Sequence, residues 1–273
     1  MLFVYPWFSC CLATAMLFSK RSSPSSFDSR KTLSRSEARD VYDQFAEEGH
    51  TGGKDADSGY GGPAVSALLQ MADFLSAETV LEYGCGQGKL AELVYSSSVL
   101  SSDDDDKAAA VSSTKLKWRG IDQSPKMVNR FRERCKLYDD CSVELLVDGD
   151  PSDVAVENRS IDRFVSTYCL DLLSEDDMYK VLDLAKACLH PERGLLLLAG
   201  ITWGYKASIR TFAMTAVWEL LYKIRRKKVG GCRPQRLVPY LESRGWRIEK
   251  VVQTMPDGFP WMVSEVVSAR PPL

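Results

Sequence analysis

Val80-Leu81-Glu82-Tyr83-Gly84-Cys85-Gly86-Gln87-Gly88-Lys89-Leu90 decides how the rest of the chain is read. Thr79–Tyr83 reads as a short apolar strand with an acid near its end, and Gln87–Tyr95 as the helix that follows. Where the strand passes into the helix three glycines alternate. Without Cβ atoms the backbone can turn sharply there and come close to a ligand. A dinucleotide fingerprint runs G-x-G-x-x-G, whereas these glycines fall at 84, 86 and 88 and position 89 is lysine. A pyrophosphate site would gain from a glycine at 89 and has no use for Glu82. An acid there suits a cationic ligand that bears an amino acid.

Outward from that loop, helix and strand alternate. Ser36–Glu48 is a polar helix, 49–62 a glycine-rich loop, and Pro63 opens a helix whose apolar stripe is Val65, Leu68, Leu69, Ala72 and Leu75. Strands are expected at Lys117–Ile121, Val143–Val147, Ile161–Leu170 and Gly194–Ile201. The last is wholly apolar, as in a sheet covered on both faces. Ser124-Pro125 caps a helix to about Leu137, and Ser174-Glu-Asp-Asp177 resembles a capping box. From Lys206 to Lys227, Ile209, Phe212, Ala213, Ala216, Val217, Leu220, Leu221 and Ile224 repeat at helical spacing. A helix over 234–243 and strands over 247–254 and 262–269 complete the pattern. The expected fold is a doubly wound α/β domain with a seven-stranded, mostly parallel sheet and a helical insertion at 203–234.

Composition narrows the classes. Of 273 residues, 45% are hydrophobic, and 35 Lys+Arg against 37 Asp+Glu leave a net charge of −2. Such a balance argues against a dedicated nucleic-acid binder. The eight cysteines form no C-x-x-C pair and there are two histidines, so the cysteines read as reduced core thiols and no metal site is expected. Residues 96–114 form a small, polar, acidic stretch that reads as a solvated loop.

The first 36 residues differ from the rest. Residues 2–18 are uncharged and almost wholly apolar; 19–36 hold eight serines, five Lys/Arg and one acid. The run is short for a spanning helix and contains Pro6. We read 1–36 as a targeting or anchoring extension to a plastid, a mitochondrion or a membrane, with a cytoplasmic chain as the alternative, and 37–273 as one folded domain.

The glycine stretch closely resembles motif I of class I S-adenosylmethionine-dependent methyltransferases. Trp118-Arg-Gly-Ile-Asp-Gln-Ser-Pro-Lys-Met127 is similar to the family's second strand. Gly149-Asp150 with Ser160–Ser166 resembles its adenine-side loop and fourth strand, and Leu189–Leu195 the turn into its fifth. The likeness spans about 60–270. Within the family it is nearest the small-molecule methyltransferases grouped with ubiquinone and menaquinone biosynthesis, some of which carry a segment similar to Val229–Pro234. It implies a doubly wound Rossmann-like fold, S-adenosylmethionine as co-substrate, no metal, and a small-molecule acceptor. The implied cofactor residues are Glu82 near the methionine amino group; Gly84, Cys85, Gly86 and Gly88 beneath the ligand; Asp122 on both ribose hydroxyls, followed by Gln123; and Asp150 on the adenine amino group, with Asp148 as alternative.

No residue announces itself as a base; His50 and Tyr168 are candidates. Substrate contacts are expected from Tyr60, Tyr168, Trp203, Tyr205 and Arg233. Trp218 and Trp261 are further aromatics, although a stripe at helical spacing reads first as core. The 206–227 helix is expected to lay its apolar stripe over the acceptor pocket as a lid. Arg225-Arg-Lys-Lys228 reads as solvated charge favouring the helix dipole, with an anionic surface or substrate as the alternative. A non-catalytic S-adenosylmethionine-binding protein and a nicotinamide oxidoreductase remain as other functions.

Overall fold

A computed structural model describes residues 32–48, 62–100, 116–204, 209–255 and 263–272. In chain order the elements are α1 Arg35–Glu48, α2 Pro63–Ala72, β1 Thr79–Tyr83, α3 Lys89–Leu100, β2 Lys117–Asp122, α4 Pro125–Cys135 and β3 Cys141–Leu145. They continue as β4 Arg163–Thr167, α5 Glu175–Cys188, β5 Leu195–Thr202, α6 Ile209–Arg225, α7 Leu237–Ser243, β6 Arg247–Thr254 and β7 Val263–Arg270.

Among the described residues the strands form one seven-stranded sheet in the order β3-β2-β1-β4-β5-β7-β6. Only β7 runs against its neighbours. The doubly wound expectation therefore holds. Side chains alternate across each strand, so β1 feeds two cores. Leu81 and Tyr83 join Phe164, Met178, Leu196 and Leu241 on the α5–α7 face. Val80 joins Leu68, Leu90, Trp118, Phe131 and Leu197 on the α2–α4 face. Leu195–Leu198 is buried throughout, at about 1.5–3 kcal/mol per leucine side chain removed from water. All six described cysteines are free thiols.

Several boundaries differ from expectation. Helix α2 stops at Ala72 because Asp73 takes the left-handed conformation at φ 43°. The 3-10 turn after it tucks Phe74 against Trp118, ring centroids 5.5 Å apart, and turns Leu75 out to solvent. Strand β3 begins at Cys141 to match β2, which leaves Val147 exposed. Helix α3 runs on through Leu100, into the stretch read as an acidic loop. Ser174 caps α5 by accepting the Asp177 N–H at 3.1 Å, but the Asp177 carboxylate turns to Arg35 instead of closing a capping box.

Candidate functional site

Strand order reverses beside β1, which lies between β2 and β4. In open α/β sheets such a point leaves a crevice beyond the strand C-termini, because successive crossovers go opposite ways. Here the chain segments after β1, β2 and β4 enclose a cavity of about 500 Å³. Its lining includes Gly84, Gly86, Gln87, Asp122, Gln123 and Gly149, together with Leu33, Ala38, Tyr42, Tyr168, Leu172 and Trp218.

The three motif glycines do different work. All take positive φ, +72° at 84, +53° at 86 and +78° at 88. A Cβ on Gly84 would lie 2.4 Å from Cys169 Sγ, and one on Gly88 2.7 Å from the Phe131 ring. Those two positions serve internal packing. A Cβ on Gly86 would meet nothing within 4 Å, so this glycine faces open cavity.

Asp122 ties the loop down. One carboxylate oxygen accepts the Gly86 N–H at 2.8 Å and the other accepts the Ser124 N–H at 2.8 Å. Burial raises its pKa; the two N–H donors act in the opposite direction. A carboxylate retains lone pairs after two such bonds, so Asp122 can still accept hydroxyl donors in the cavity.

Of the other cofactor candidates, Gln123 lines the cavity and four do not. Glu82 points to the α2–α4 face, where its carboxyl accepts the Trp118 Nε1–H at 3.1 Å and is 1% exposed. Burial pushes its pKa up to about 8. Cys85 is buried and Gly88 packs on Phe131. Asp150 is already engaged: it accepts the Ser152 N–H at 3.0 Å and pairs with Lys180 and Arg35, each at 2.9 Å. Ser152 first, then Lys180, hold its pKa far below the usual carboxylate range. The neighbouring Gly149 lines the cavity instead, and Asp148 is exposed.

The acceptor candidates divide likewise. Tyr168 lines the cavity at φ 51°, and its hydroxyl shares a 2.9 Å hydrogen bond with Ser264. Burial raises its pKa, so the phenol stays protonated near neutrality and is a poor base. Trp203 packs against Phe212 with ring centroids 5.7 Å apart and the planes tilted by 47°, and Arg233 is buried and donates to the Leu173 carbonyl at 2.5 Å; neither lines the cavity. His50, Tyr60, Tyr205 and Trp261 lie outside the described residues.

Helix α6 faces the opposite way from expectation. Thr211, Thr215 and Tyr222 are its buried residues, and Trp218 reaches the cavity while its indole N–H donates to the Cys232 carbonyl at 2.9 Å. Thr215 can be buried because its hydroxyl donates to the Thr211 carbonyl at 2.8 Å. The apolar stripe faces solvent.

Residues no motif singled out complete the wall. Arg35 bridges Asp177 and Asp150, with bonds of 2.5 and 3.2 Å to Asp177, so α1 is pinned against the cavity, which its Arg35, Ala38 and Tyr42 line. Leu33 lines the cavity as well, so the folded domain reaches upstream of residue 37. The sequence signal available was the Leu33–Ser36 cap before α1, where Ser34 and Glu37 exchange hydrogen bonds.

Residues 80–192 match the family model described as a methyltransferase domain. That stretch is a methyltransferase domain, and it supports a class I S-adenosylmethionine-dependent methyltransferase. No curated protein matches this methyltransferase in sequence. Among solved structures it is similar to a chain of the complex between the Haloferax volcanii Trm112 methyltransferase activator and a putative methyltransferase (TM-score 0.58, 15% identity, 85% of this chain and 98% of that one). It is also similar to Burkholderia thailandensis 1,6-didemethyltoxoflavin-N1-methyltransferase with its substrate and S-adenosylhomocysteine (0.57, 14%, 87% and 88%). A third is the N-methyltransferase NodS from Bradyrhizobium japonicum WM9 with S-adenosylhomocysteine (0.55, 16%, 85% and 99%). These likenesses concern the fold. Enzymatic methylation replaces the oxidoreductase and binding-protein alternatives.

Proposed function

We propose that this methyltransferase acts on a small, mostly apolar acceptor. The observation that carries this reading is the cavity's lining, which joins the motif glycines and the Asp122 carboxylate to apolar and aromatic side chains, among them Tyr42, Tyr168, Leu172, Ile201 and Trp218. The glycines and Asp122 fit S-adenosylmethionine: open space above Gly86 leaves room for it, and Asp122 offers a carboxylate for ribose hydroxyls. When bound, the cofactor supplies a methyl group on a sulfonium, already a strong electrophile.

The protein's own work is then alignment and water exclusion. Asp122 holds the glycine loop and accepts from the sugar. Gly86 permits close approach. Tyr168, neutral and hydrogen-bonded to Ser264, forms a wall that can donate to an acceptor oxygen or nitrogen but does not remove its proton. Arg35, locked by Asp177, keeps α1 against the cavity. We read the uncharged run at 2–18 and the basic, serine-rich stretch after it as a targeting or anchoring segment; residues 1–31 lie outside the described structure.

Incubating the full chain with methyl-tritiated cofactor and separate small-molecule, protein and RNA fractions tests the reading. Label in organic-extractable small molecules is expected. Label confined to protein or RNA would overturn the acceptor class and leave the methyltransferase assignment intact.

A further inference from the structure

Helix α6 turns a continuous apolar arc away from the domain. Ile209, Phe212, Val217, Leu220, Leu221 and Ile224 are each between 43% and 88% exposed. At 100° per residue they lie on one side of the helix, opposite the buried Thr211, Thr215 and Tyr222. Monomeric soluble proteins seldom leave so many large apolar side chains together in water, so the face is expected to be covered.

The charge around the arc indicates by what. Lys223 and Arg225 lie in the last turn of α6, and Arg226, Lys227 and Lys228 follow in the next 3-10 turn. Two acids stand nearby, Glu219 at 3.6 Å from Lys223 and Glu37 at 3.6 Å from Lys227. Five cations therefore adjoin the arc against two acids. Apolar side chains on one face with Lys and Arg at the margin are the composition of a helix that lies in a bilayer interface. Each basic residue near the surface adds attraction to anionic headgroups. Among the described residues no helix is long and apolar enough to cross a membrane, so the geometry is that of a helix lying on the surface.

We propose that the outward face of α6 docks this methyltransferase on an anionic lipid surface. Two other coverings fit less well. The chain's own apolar run at 2–18 is joined to the fold through residues 19–36, whose five Lys/Arg against one acid would bring like charge to the basic end. A second copy would present the same apolar arc, whose nearest acid, Glu219, already pairs with Lys223. The proposal concerns where the enzyme sits and does not depend on which acceptor it uses.

Co-sedimentation of the full chain with large unilamellar vesicles tests it, comparing pure phosphatidylcholine with a mixture containing about one-third phosphatidylserine. Strong binding to the mixture and weak binding to phosphatidylcholine is expected. Leu220→Glu with Ile224→Glu should lower the bound fraction by more than about tenfold, and Arg225→Glu with Lys228→Glu should abolish the preference for the anionic mixture. All four side chains are exposed, so cofactor affinity and circular dichroism should match wild type in both variants. Failure of the full chain to bind either vesicle overturns the proposal. So does wild-type binding by the Leu220/Ile224 variant, which would place the contact in residues 1–31. Loss of a concentration-dependent dimer in that variant, with vesicle binding unchanged, would make the face a contact between copies.

Discussion

Alanine at Gly84 and at Gly86 should have different consequences, although both glycines belong to one motif and both sit at positive φ. An L-residue held in the left-handed region costs about 1–2 kcal/mol. For Gly86→Ala that is the whole cost to the free protein, because the added methyl meets no atom within 4 Å. For Gly84→Ala the methyl would stand 2.4 Å from Cys169 Sγ and 2.6 Å from its Cβ. Overpacking of that kind adds about 1–3 kcal/mol, giving about 2–5 kcal/mol in all. Against a domain stability of about 5–15 kcal/mol, Gly86→Ala should stay folded while Gly84→Ala loses a large share of its margin. Ligand binding should rank them the other way. The open space over Gly86 is where S-adenosylmethionine is placed, so Gly86→Ala should weaken its binding more than about tenfold, or 1.4 kcal/mol. Urea denaturation without ligand and isothermal titration of S-adenosylhomocysteine on the same preparations read both quantities. Cys169→Ala combined with Gly84→Ala should recover part of the stability, because Sγ is then gone. A folded Gly86→Ala with wild-type affinity would refute the placement of the ligand. Equal stability of the two variants would refute the packing argument.

Asp122→Ala should weaken cofactor binding by about 1.5–3 kcal/mol, the scale for hydrogen bonds to a charged group, whereas Asp150→Ala, outside the cavity, should leave the dissociation constant near wild type; titration calorimetry distinguishes them. Stability should fall as pH rises from about 5 to 8, because burial lifts Glu82 to about 8 and Asp171 to about 7. Folding then takes up protons across that interval, so each rise in pH opposes it; Glu82→Gln should flatten the slope in denaturation curves collected across pH. Deleting residues 1–31 should preserve cofactor affinity, whereas Arg35→Ala should lower stability by about 1–2 kcal/mol through loss of its partly exposed pairs with Asp177 and Asp150. Equal melting temperatures for Arg35→Ala and wild type would show that α1 is not pinned there.

What could be read from the sequence alone was whatever neighbouring residues impose on one another. The β1–glycine–α3 passage declares itself because positive φ values in close succession need glycine whatever surrounds them. Leu195–Leu198 reads as a central strand because only burial on both faces rewards four successive leucines. Ser124 and Ser174 mark helix starts because a cap is a bond to an N–H three residues on. The expectations that changed all depended on residues far along the chain. Glu82 turns away from the cavity because parallel pairing sets β1 beside β2 and brings the Trp118 N–H within reach. Asp150 is taken by Arg35, Lys180 and Ser152, of which only Ser152 is its neighbour in sequence. Arg35 itself finds Asp177 across 142 residues. Periodicity shows that α6 has an apolar face, but not which face the domain will use. That was decided by the cavity rim, where Trp218 can fill space and donate to the Cys232 carbonyl.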